Sequence, residues 1–172
     1  MKTENGFTLI EVMVYLGLFA ILFGGVILAA YNIVESSDRN QTKAMVQEEG
    51  NFLMAKINWV ISGAQSITSP AIGAACLAPA CPLSVIKWDT SIGNPVVVSL
   101  TGTDMTLTRG SNPPAVLNNN NVQIINLSFT HTNASGDGID PESLKTQFTV
   151  SARMATGLNI TEIFSSTDYL RK

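Results

Sequence analysis

A long apolar run without charges constrains this chain more than any other feature of its sequence. The run extends from Val12 to Tyr31 and contains no charged residue, no proline and no Asn or Gln. About 20 apolar residues are enough for a helix to cross a bilayer, so the run predicts a transmembrane helix near the N-terminus. Glu11 stands directly before it, and a carboxylate in a membrane segment costs at least about 2.5 kcal/mol unless it finds a partner. Glu11 is therefore a candidate functional residue.

The residues before the run do not read as an ordinary secretory signal peptide. The polar head is the short stretch Met1 to Gly6, and no A-x-A-like cleavage site follows the apolar core in a suitable context. The nearest approach is the stretch Leu28 to Tyr31. We therefore expect the apolar segment to stay in the mature protein.

The stretch around Glu11 reads G-F-T-L-I-E-V, from Gly6 to Val12. In these residues the chain resembles the type IV pilin-like family, which includes prepilins with a class III leader and the pseudopilins of type II secretion. The resemblance implies that a prepilin peptidase cuts after Gly6 and N-methylates the new terminal residue, Phe7. Glu11 then falls at the fifth mature position (11 − 6 = 5), where the family keeps a glutamate. One departure is the net side-chain charge of the leader, which is zero here because Lys2 and Glu4 cancel, whereas positive leaders are usual.

The resemblance also implies an assembly role for Glu11. Its carboxylate is expected to pair with the N-terminal amine of Phe7 on a neighbouring subunit, and the pair sets the register because a buried carboxylate is costly alone. The alternative is a protonated Glu11 that is tolerated near the headgroup region, which its side chain can reach. Gly17, Gly24 and Gly25 either permit close helix packing or reflect the ordinary enrichment of glycine in membrane helices.

The helix need not end with the apolar run. Helix-forming residues continue from Asn32 to Ile61 without a proline, and apolar residues recur at spacings typical of one face of an amphipathic helix. The residues of this face are Met45, Val46, Phe52, Leu53, Ile57, Val60 and Ile61. Ser62 and Gly63 predict the helix end, because glycine readily adopts the left-handed conformation that follows a helix.

Short β-prone runs alternate with turn clusters in the rest of the chain, which predicts one antiparallel sheet. Residues 64–82 are expected to form a connecting loop with at most a short extended piece, and residues 167–172 a polar tail. A change of phase between Ile124 and Leu127 indicates a β-bulge. The predicted strands are 83–88, 96–100, 105–109, 122–130, 144–152 and 159–165.

These patterns together predict an α+β, pilin-like fold: one long N-terminal helix, with a transmembrane first half, packed on an antiparallel β-sheet. The length of 172 residues allows one domain and a helix. The expected divisions are a leader peptide at 1–6, a transmembrane half-helix at 7–31, an amphipathic half-helix at 32–62 and a β-rich globular head at 63–172.

The two cysteines, Cys76 and Cys81, are close in sequence within an expected exported domain. Such a pair predicts a small disulfide loop, with two reduced thiols as the alternative. A zinc site is not expected, because the only histidine, His131, is far from them and four ligands are needed. His131 itself is interpreted as a surface residue on a strand.

A turn-rich segment carries three acidic residues, Asp137, Asp140 and Glu142. They form a weak calcium candidate, which the resemblance to pseudopilins also suggests. EF-hand spacing is missing, however, and Asp-Gly and Asp-Pro are common turn dipeptides. We therefore predict a turn and no metal site.

The composition argues against two other classes of protein. The formal net charge is −3 and only 13% of residues are charged, which argues against a general nucleic-acid binder, because such proteins usually carry a basic stripe or patch. The chain has no G-x-S-x-G motif, no phosphate-binding loop and no evident catalytic constellation. We therefore expect a non-enzyme without a cofactor.

The resemblance implies a minor pseudopilin or minor pilin at or near the tip of a filament. The presence of Glu11 argues against the K-type pseudopilin, and the size and β-rich head suggest the J-type. Expected partners are other pilin-like subunits, the prepilin peptidase and the inner-membrane assembly platform. The expected location is the inner (cytoplasmic) membrane, crossed once with the head extracytoplasmic, and then the filament.

Two alternatives to this function stay open. The first is a minor pilin of a type IV pilus or competence system that acts in adhesion or DNA uptake. The second belongs to another class: a membrane-anchored extracytoplasmic binding domain that does not polymerise. Loss of Glu11 separates the second from the filament subunits, since a mere anchor has no use for that carboxylate.

Overall fold

The computed structural model describes residues 8–133 and 141–170. Within these residues the chain forms one α-helix, one short 3-10 helix and nine β-strands. Its contacts divide the chain into two compact units, Met1–Asn40 and Gln41–Lys172. The predicted α+β class is confirmed, because one long N-terminal helix precedes antiparallel sheets.

The helix, α1, covers Leu9–Ile61 and contributes residues to both units. In the first unit its large apolar side chains are exposed. In the second unit one stripe of α1 is buried, with the spacing of three and four residues that marks one helix face. The stripe consists of Thr42, Val46, Gly50, Leu53, Ile57, Val60 and Ile61. The prediction was wrong for Phe52, which is exposed because it lies one position off this stripe.

The predicted end of α1 is confirmed. The backbone N–H of Ser62 donates to the carbonyl of Asn58 at 2.8 Å, and Gly63 follows with a φ of 71°. That left-handed φ suits glycine, which has no Cβ to clash with the backbone. The chain therefore leaves the helix at Gly63 and enters the first strand.

The second unit contains two antiparallel sheets where the sequence predicted one. Sheet A has the order β1-β3-β4-β5-β6, and sheet B has the order β2-β7-β8-β9. Both sheets contribute side chains to one hydrophobic core with the buried stripe of α1. Residue alternation indicates which side of a strand is buried but not which strands pair, so it missed this division. The strands are β1 Ala64–Ser69, β2 Ala75–Leu77, β3 Leu83–Lys87, β4 Val96–Thr101, β5 Asp104–Arg109, β6 Ala115–Val116, β7 Val122–Thr132, β8 Ser143–Arg153 and β9 Asn159–Tyr169.

The segment 64–82 is more ordered than the predicted connecting loop. It contains β1, which pairs with β3, and β2, which pairs with β7. β1 is rich in small and hydroxyl-bearing residues and β2 has only three residues, so neither gives a clear strand pattern and cross-strand pairing decides their conformation. β3, β4 and β5 pair in chain order as an antiparallel meander.

The predicted bulge in β7 is confirmed. The register of β7 on β8 shifts between Ile125 and Ser128, and Asn126 has a φ of 57°. Asparagine tolerates this left-handed conformation better than most residues. Before the bulge Val122 and Ile124 are buried, and after it the buried positions are odd-numbered, beginning with Leu127.

The polar tail predicted from Thr167 is wrong over its first residues. β9 continues to Tyr169 and pairs with β8 along its whole length. Its inward positions near the end are polar, Ser166 and Asp168, so the hydrophobic alternation that marks the strand fades there. Pairing with β8 holds the backbone extended where the side-chain pattern gives no signal.

Candidate functional site

Thr8 and Glu11 form a reciprocal cap at the beginning of α1. The Glu11 Oε2 atom accepts hydrogen bonds from the backbone N–H of Thr8 at 3.2 Å and from its hydroxyl at 3.0 Å. In return the backbone N–H of Glu11 donates to the Thr8 Oγ1 atom at 3.4 Å. This is the capping-box arrangement, in which a Thr and a Glu three residues later satisfy each other's free backbone donors. The T-x-x-E spacing from Thr8 to Glu11 is a signal for this bond in the sequence, but only Glu11 was predicted as a functional residue.

The cap uses only one oxygen of the carboxylate. Both hydrogen bonds that Glu11 accepts from Thr8 go to Oε2. Within residues 8–133 and 141–170, no side chain forms an ion pair with Glu11, whose side chain is exposed. Negative charge at a helix N-terminus is also favoured by the helix dipole. The second oxygen, Oε1, therefore takes no part in the cap that orients the carboxylate.

The part of α1 that follows the cap is long and apolar enough to cross a membrane, and in the described residues it is the one helix that is. Its apolar window is fully exposed in the isolated chain. Exposed apolar side chains over such a length need a nonaqueous surrounding. The structure therefore agrees with a single membrane anchor in the first unit.

The predicted cleavage and methylation residues, Gly6 and Phe7, lie outside the described residues. Asp137 and Asp140 of the calcium candidate lie outside them as well. No group of three or more possible metal ligands occurs in the described part of the chain. Of the candidate residues for processing, assembly and calcium binding, the structure describes Glu11 and Glu142, which belong to different units.

Glu142 is bound to the histidine that was interpreted as a surface residue. His131 is buried, with an exposed fraction of 1%, so that interpretation is wrong. Its Nε2 atom lies 2.9 Å from Oε1 of Glu142, and its Nδ1 atom lies 3.0 Å from the carbonyl oxygen of Pro70. The bulge in β7 is the reason, because after it the odd-numbered residues face inward. Leu127 and Phe129 are buried at odd-numbered positions, and the same alternation continued by two residues reaches His131. This pattern is the sequence signal that would have predicted a buried His131.

The proton count of this contact follows from its partners. A carbonyl oxygen only accepts, so Nδ1 of His131 must carry a proton to bind the carbonyl of Pro70. The contact between Nε2 and Glu142 then needs one further proton, which either the imidazole or the carboxyl group supplies. The contact therefore joins β7 to the residues just before β8.

Cys76 and Cys81 are joined in a disulfide bond, with their Sγ atoms 2.12 Å apart. Cys76 lies in β2, opposite Phe129 of β7. Cys81 lies in the loop just before β3. The bond therefore ties the short strand β2 to the segment that leads into sheet A.

Three cations of the second unit lie over two aromatic rings of α1, two of them over Trp59 and one over Phe52. We call Lys56, Lys87 and Arg109 with the aromatic residues Phe52 and Trp59 the cationic cluster. The Lys87 Nζ atom lies 3.9 Å from the centre of the Trp59 ring, and the Arg109 guanidinium carbon lies 5.0 Å from it. The Lys56 Nζ atom lies 5.2 Å from the centre of the Phe52 ring. These distances place all three cations within cation–π range.

Lys87 is the buried member of the cationic cluster. Its ammonium group donates to the carbonyl of Trp59 at 2.6 Å. Trp59 is in the last turn of α1, and the final carbonyl groups of a helix lack partners within the helix. This last turn contains no basic residue of its own. Burial, and then the charge of Arg109, lower the pKa of Lys87 below its ordinary value, whereas Asp89 acts in the opposite direction. Lys87 shares the inward phase of Leu83 and Val85, and this signal was visible in the sequence.

Comparison with known families adds one finding. Residues 1–27 match the family model described as the prokaryotic N-terminal methylation motif. No curated protein and no solved structure matches the chain significantly. The chain therefore carries the class III leader of type IV pilins, followed by a long apolar helix, and this supports a type IV pilin-like prepilin.

Proposed function

We propose that this protein is a minor subunit of a type II secretion pseudopilus or a related filament, assembled at or near the tip. The match of residues 1–27 to the N-terminal methylation motif carries the proposal. The prepilin is cut after Gly6 by the prepilin peptidase and methylated on Phe7. It crosses the inner membrane once, with its head extracytoplasmic, until the assembly platform transfers it to the filament.

The role of Glu11 in this proposal is to fix the register of assembly. The cap by Thr8 orients the carboxylate through Oε2 and does not use Oε1. The amine of Phe7 on a neighbouring subunit supplies the positive charge that the carboxylate lacks in an apolar surrounding. A charge pair in low dielectric is far better than a lone charge, so only the correct register is favourable.

The role is structural rather than catalytic. The buried His131 is held by a carboxylate and a carbonyl, and the two cysteines are joined to each other. These contacts supply stability to the head and leave no nucleophile and base together among them. We therefore propose a non-enzyme that needs no cofactor, whose partners are other pilin-like subunits.

Three substitutions separate the charge of Glu11 from its capping role. Glu11→Gln keeps the capping box, because glutamine also serves at this position, but removes the charge. Glu11→Ala removes both, and Thr8→Ala removes the cap but keeps the charge. We expect both Glu11 variants to reduce incorporation into sheared filaments at least tenfold while they stay in the membrane, and Thr8→Ala to reduce it far less. Normal incorporation of Glu11→Gln would contradict the charge-pair role.

Mass spectrometry of the mature N-terminus tests the processing. The expected N-terminal residue is N-methylated Phe7. An intact Met1, or a cut at another bond, would contradict the leader assignment. A chain that is cut and anchored but never enters a filament would instead support the alternative of a membrane-anchored binding domain.

One observation favours the second candidate, a minor pilin that binds DNA or a surface. The cationic cluster gathers three cations and two aromatic residues on one side of the second unit, although the chain as a whole has a net charge of −3. Cations beside aromatic rings suit single-stranded nucleic acid. The double variant Lys56→Ala with Arg109→Ala should weaken DNA binding by the full chain at least tenfold if this candidate is right, and should leave secretion unchanged.

A further inference from the structure

The cationic cluster gathers positive charge that ion pairs do not neutralise. Among the described residues, none of its three cations forms an ion pair with a carboxylate. Lys87 and Arg109 lie over the same ring, at 3.9 and 5.0 Å from the centre of Trp59, and burial and then the charge of Arg109 lower the pKa of Lys87. Like charges held this close repel each other, so an anion bound beside them is stabilised.

Asp89 is the acid that acts on this charge, and its carboxylate is already bound. Its charge opposes that of Arg109 in its effect on the pKa of Lys87. The Oδ1 atom of Asp89 accepts hydrogen bonds from the backbone N–H of Ser91 at 2.9 Å and from the Ser91 hydroxyl at 2.6 Å. These two bonds cap the short 3-10 helix Thr90–Ile92 and lower the pKa of Asp89. The charge of the cluster is therefore only partly balanced within the described chain.

An open surface hollow of about 510 Å³ exposes part of the cluster. The residues that line it are Phe52, Ala55, Lys56, Trp59 and Arg109. Lys87 is not among them, because it is buried, with an exposed fraction of 4%, and donates to the Trp59 carbonyl. Phe52, in contrast, is 44% exposed. The hollow therefore combines the surfaces of two aromatic rings with two accessible cations, Lys56 and Arg109.

This lining suits a ligand that carries carboxylates beside an apolar group. The guanidinium group of Arg109 is a planar fork that can bind both oxygens of a carboxylate. The ammonium group of Lys56 lies 5.2 Å from the centre of the Phe52 ring and can bind a second carboxylate as a point charge. The two aromatic rings offer an apolar surface for the rest of the ligand. A peptide with aspartate or glutamate next to an apolar residue has this combination.

Neighbouring acids favour a short anion over a long one. Glu48 is exposed and lies four residues before Phe52, which places both on one face of α1. Asp89 lies close enough to act on Lys87. A single-stranded nucleic acid carries a phosphate on every nucleotide and binds along a positively charged groove. Two accessible cations with acids beside them do not form such a groove, so a short acidic peptide fits better than the nucleic acid of the second candidate function.

We propose that the hollow of the cationic cluster binds a short acidic segment of a partner protein. The carboxylates of the segment bind Arg109 and Lys56, and an adjacent apolar side chain covers the two aromatic rings. Exposed ion pairs contribute little one by one, so the apolar contact supplies much of the affinity and the charges supply the selectivity. The site is independent of the filament role, because it follows from the charge and the lining of the cluster.

Two synthetic peptides test the charge requirement on the full chain in detergent. The first is acetyl-Gly-Asp-Phe-Asp-Gly-amide, and its matched control has asparagine in place of both aspartates. The chain has two tryptophans, so a Trp88→Phe background leaves the fluorescence of Trp59 as the reporter of binding. We expect the acidic peptide to bind at least tenfold more tightly than its asparagine control, and high salt to reduce this difference.

Substitutions of the chain locate the binding. Lys56→Ala combined with Arg109→Ala removes the two accessible cations and should weaken binding of the acidic peptide at least tenfold. Lys145→Ala combined with Arg153→Ala is the matched control, because it removes the same charge from exposed positions of β8 and should leave the affinity unchanged. Arg109→Lys keeps the charge but loses the fork, so it should weaken binding about threefold and keeps the test open if the double variant fails to fold.

Each contrary outcome has a definite meaning. No binding of the acidic peptide, equal binding of the two peptides, or an unchanged affinity in the folded Lys56→Ala and Arg109→Ala variant would each overturn the site. A single-stranded deoxythymidine decamer that binds more tightly than the acidic peptide, and loses affinity in that variant, would overturn the acidic segment in favour of nucleic acid. Processing and filament incorporation test the proposed function separately, so either result can fail without the other.

Discussion

Gly50 is a residue for which sequence and structure predict opposite effects of one substitution. In an exposed helix interior, Gly→Ala raises stability by about 1 kcal/mol, because alanine has the higher helix propensity. Gly50, however, is buried in the stripe of α1 that faces the sheets. A Cβ atom there would lie 2.6 Å from the Cε1 atom of Phe164 in β9, and closer still to two other atoms of that ring. We therefore expect Gly50→Ala to destabilise the head.

The size of the effect follows from two opposing terms. Overpacking a well-packed site costs about 1–3 kcal/mol. The Phe164 ring cannot retreat freely, because it stacks on the fully buried Phe148 with ring centroids 5.6 Å apart. Subtracting the propensity gain of about 1 kcal/mol leaves a net loss of about 1 kcal/mol, within a range of about 0–2. Without the clash the same substitution would add about 1 kcal/mol.

Urea unfolding of the full chain in detergent, followed by tryptophan fluorescence, measures the difference. Ala55→Gly, at an exposed position of the same helix, is the control for propensity alone and should cost about 1 kcal/mol. In a Phe164→Leu background, Gly50→Ala should become neutral or stabilising, which is a coupling of about 1–2 kcal/mol. An increase in stability for Gly50→Ala in the wild-type background would refute the close approach of α1 and β9.

Three further predictions concern the head. Burial lowers the pKa of Lys87 below 10.5, so on raising the pH the folded chain releases this proton before the unfolded chain does. The free energy of unfolding of the wild type, minus that of Lys87→Met, should therefore rise as the pH approaches 10.5. A difference that stays constant with pH in urea unfolding would contradict this. Replacing Cys76 and Cys81 by serine opens a loop of about six residues and should cost about 2 kcal/mol by chain entropy, checked by urea unfolding under nonreducing conditions. His131→Leu should lower the free energy of unfolding by about 3 kcal/mol, because it leaves Glu142 buried without its partner. Adding Glu142→Leu should recover most of this stability in thermal unfolding. If the two substitutions instead lower stability additively, the result would count against the pair.

The N-terminal features could be predicted because each depends on residues that are close in sequence. The apolar run, Glu11 and the T-x-x-E spacing lie within one helix, where periodicity and capping are local properties. The helix end at Gly63 and the bulge near Asn126 were also predictable, since each depends on the conformation or phase of a few consecutive residues.

Features of the head that depend on distant residues were not predictable in the same way. Phe52 and Leu53 are neighbours with the same apolar character, and only packing against the sheets decides which one is buried. The inward position of His131 follows from the bulge, but its partners, Pro70 and Glu142, come from two other segments. Pairing of distant segments is a tertiary property, because the same alternation of residues fits several strand orders.

The anchor, the leader and the order of helix before strands could be inferred from the sequence, because hydrophobic length, motif spacing and periodicity act over short stretches of chain. The division of the head into two sheets and the position of Lys87 against the last turn of α1 emerge only in the folded chain. The same holds for the position of β9 at the edge of sheet B. These outcomes depend on which strands pair and which side chains share the core, and both are set by contacts between residues far apart in the chain.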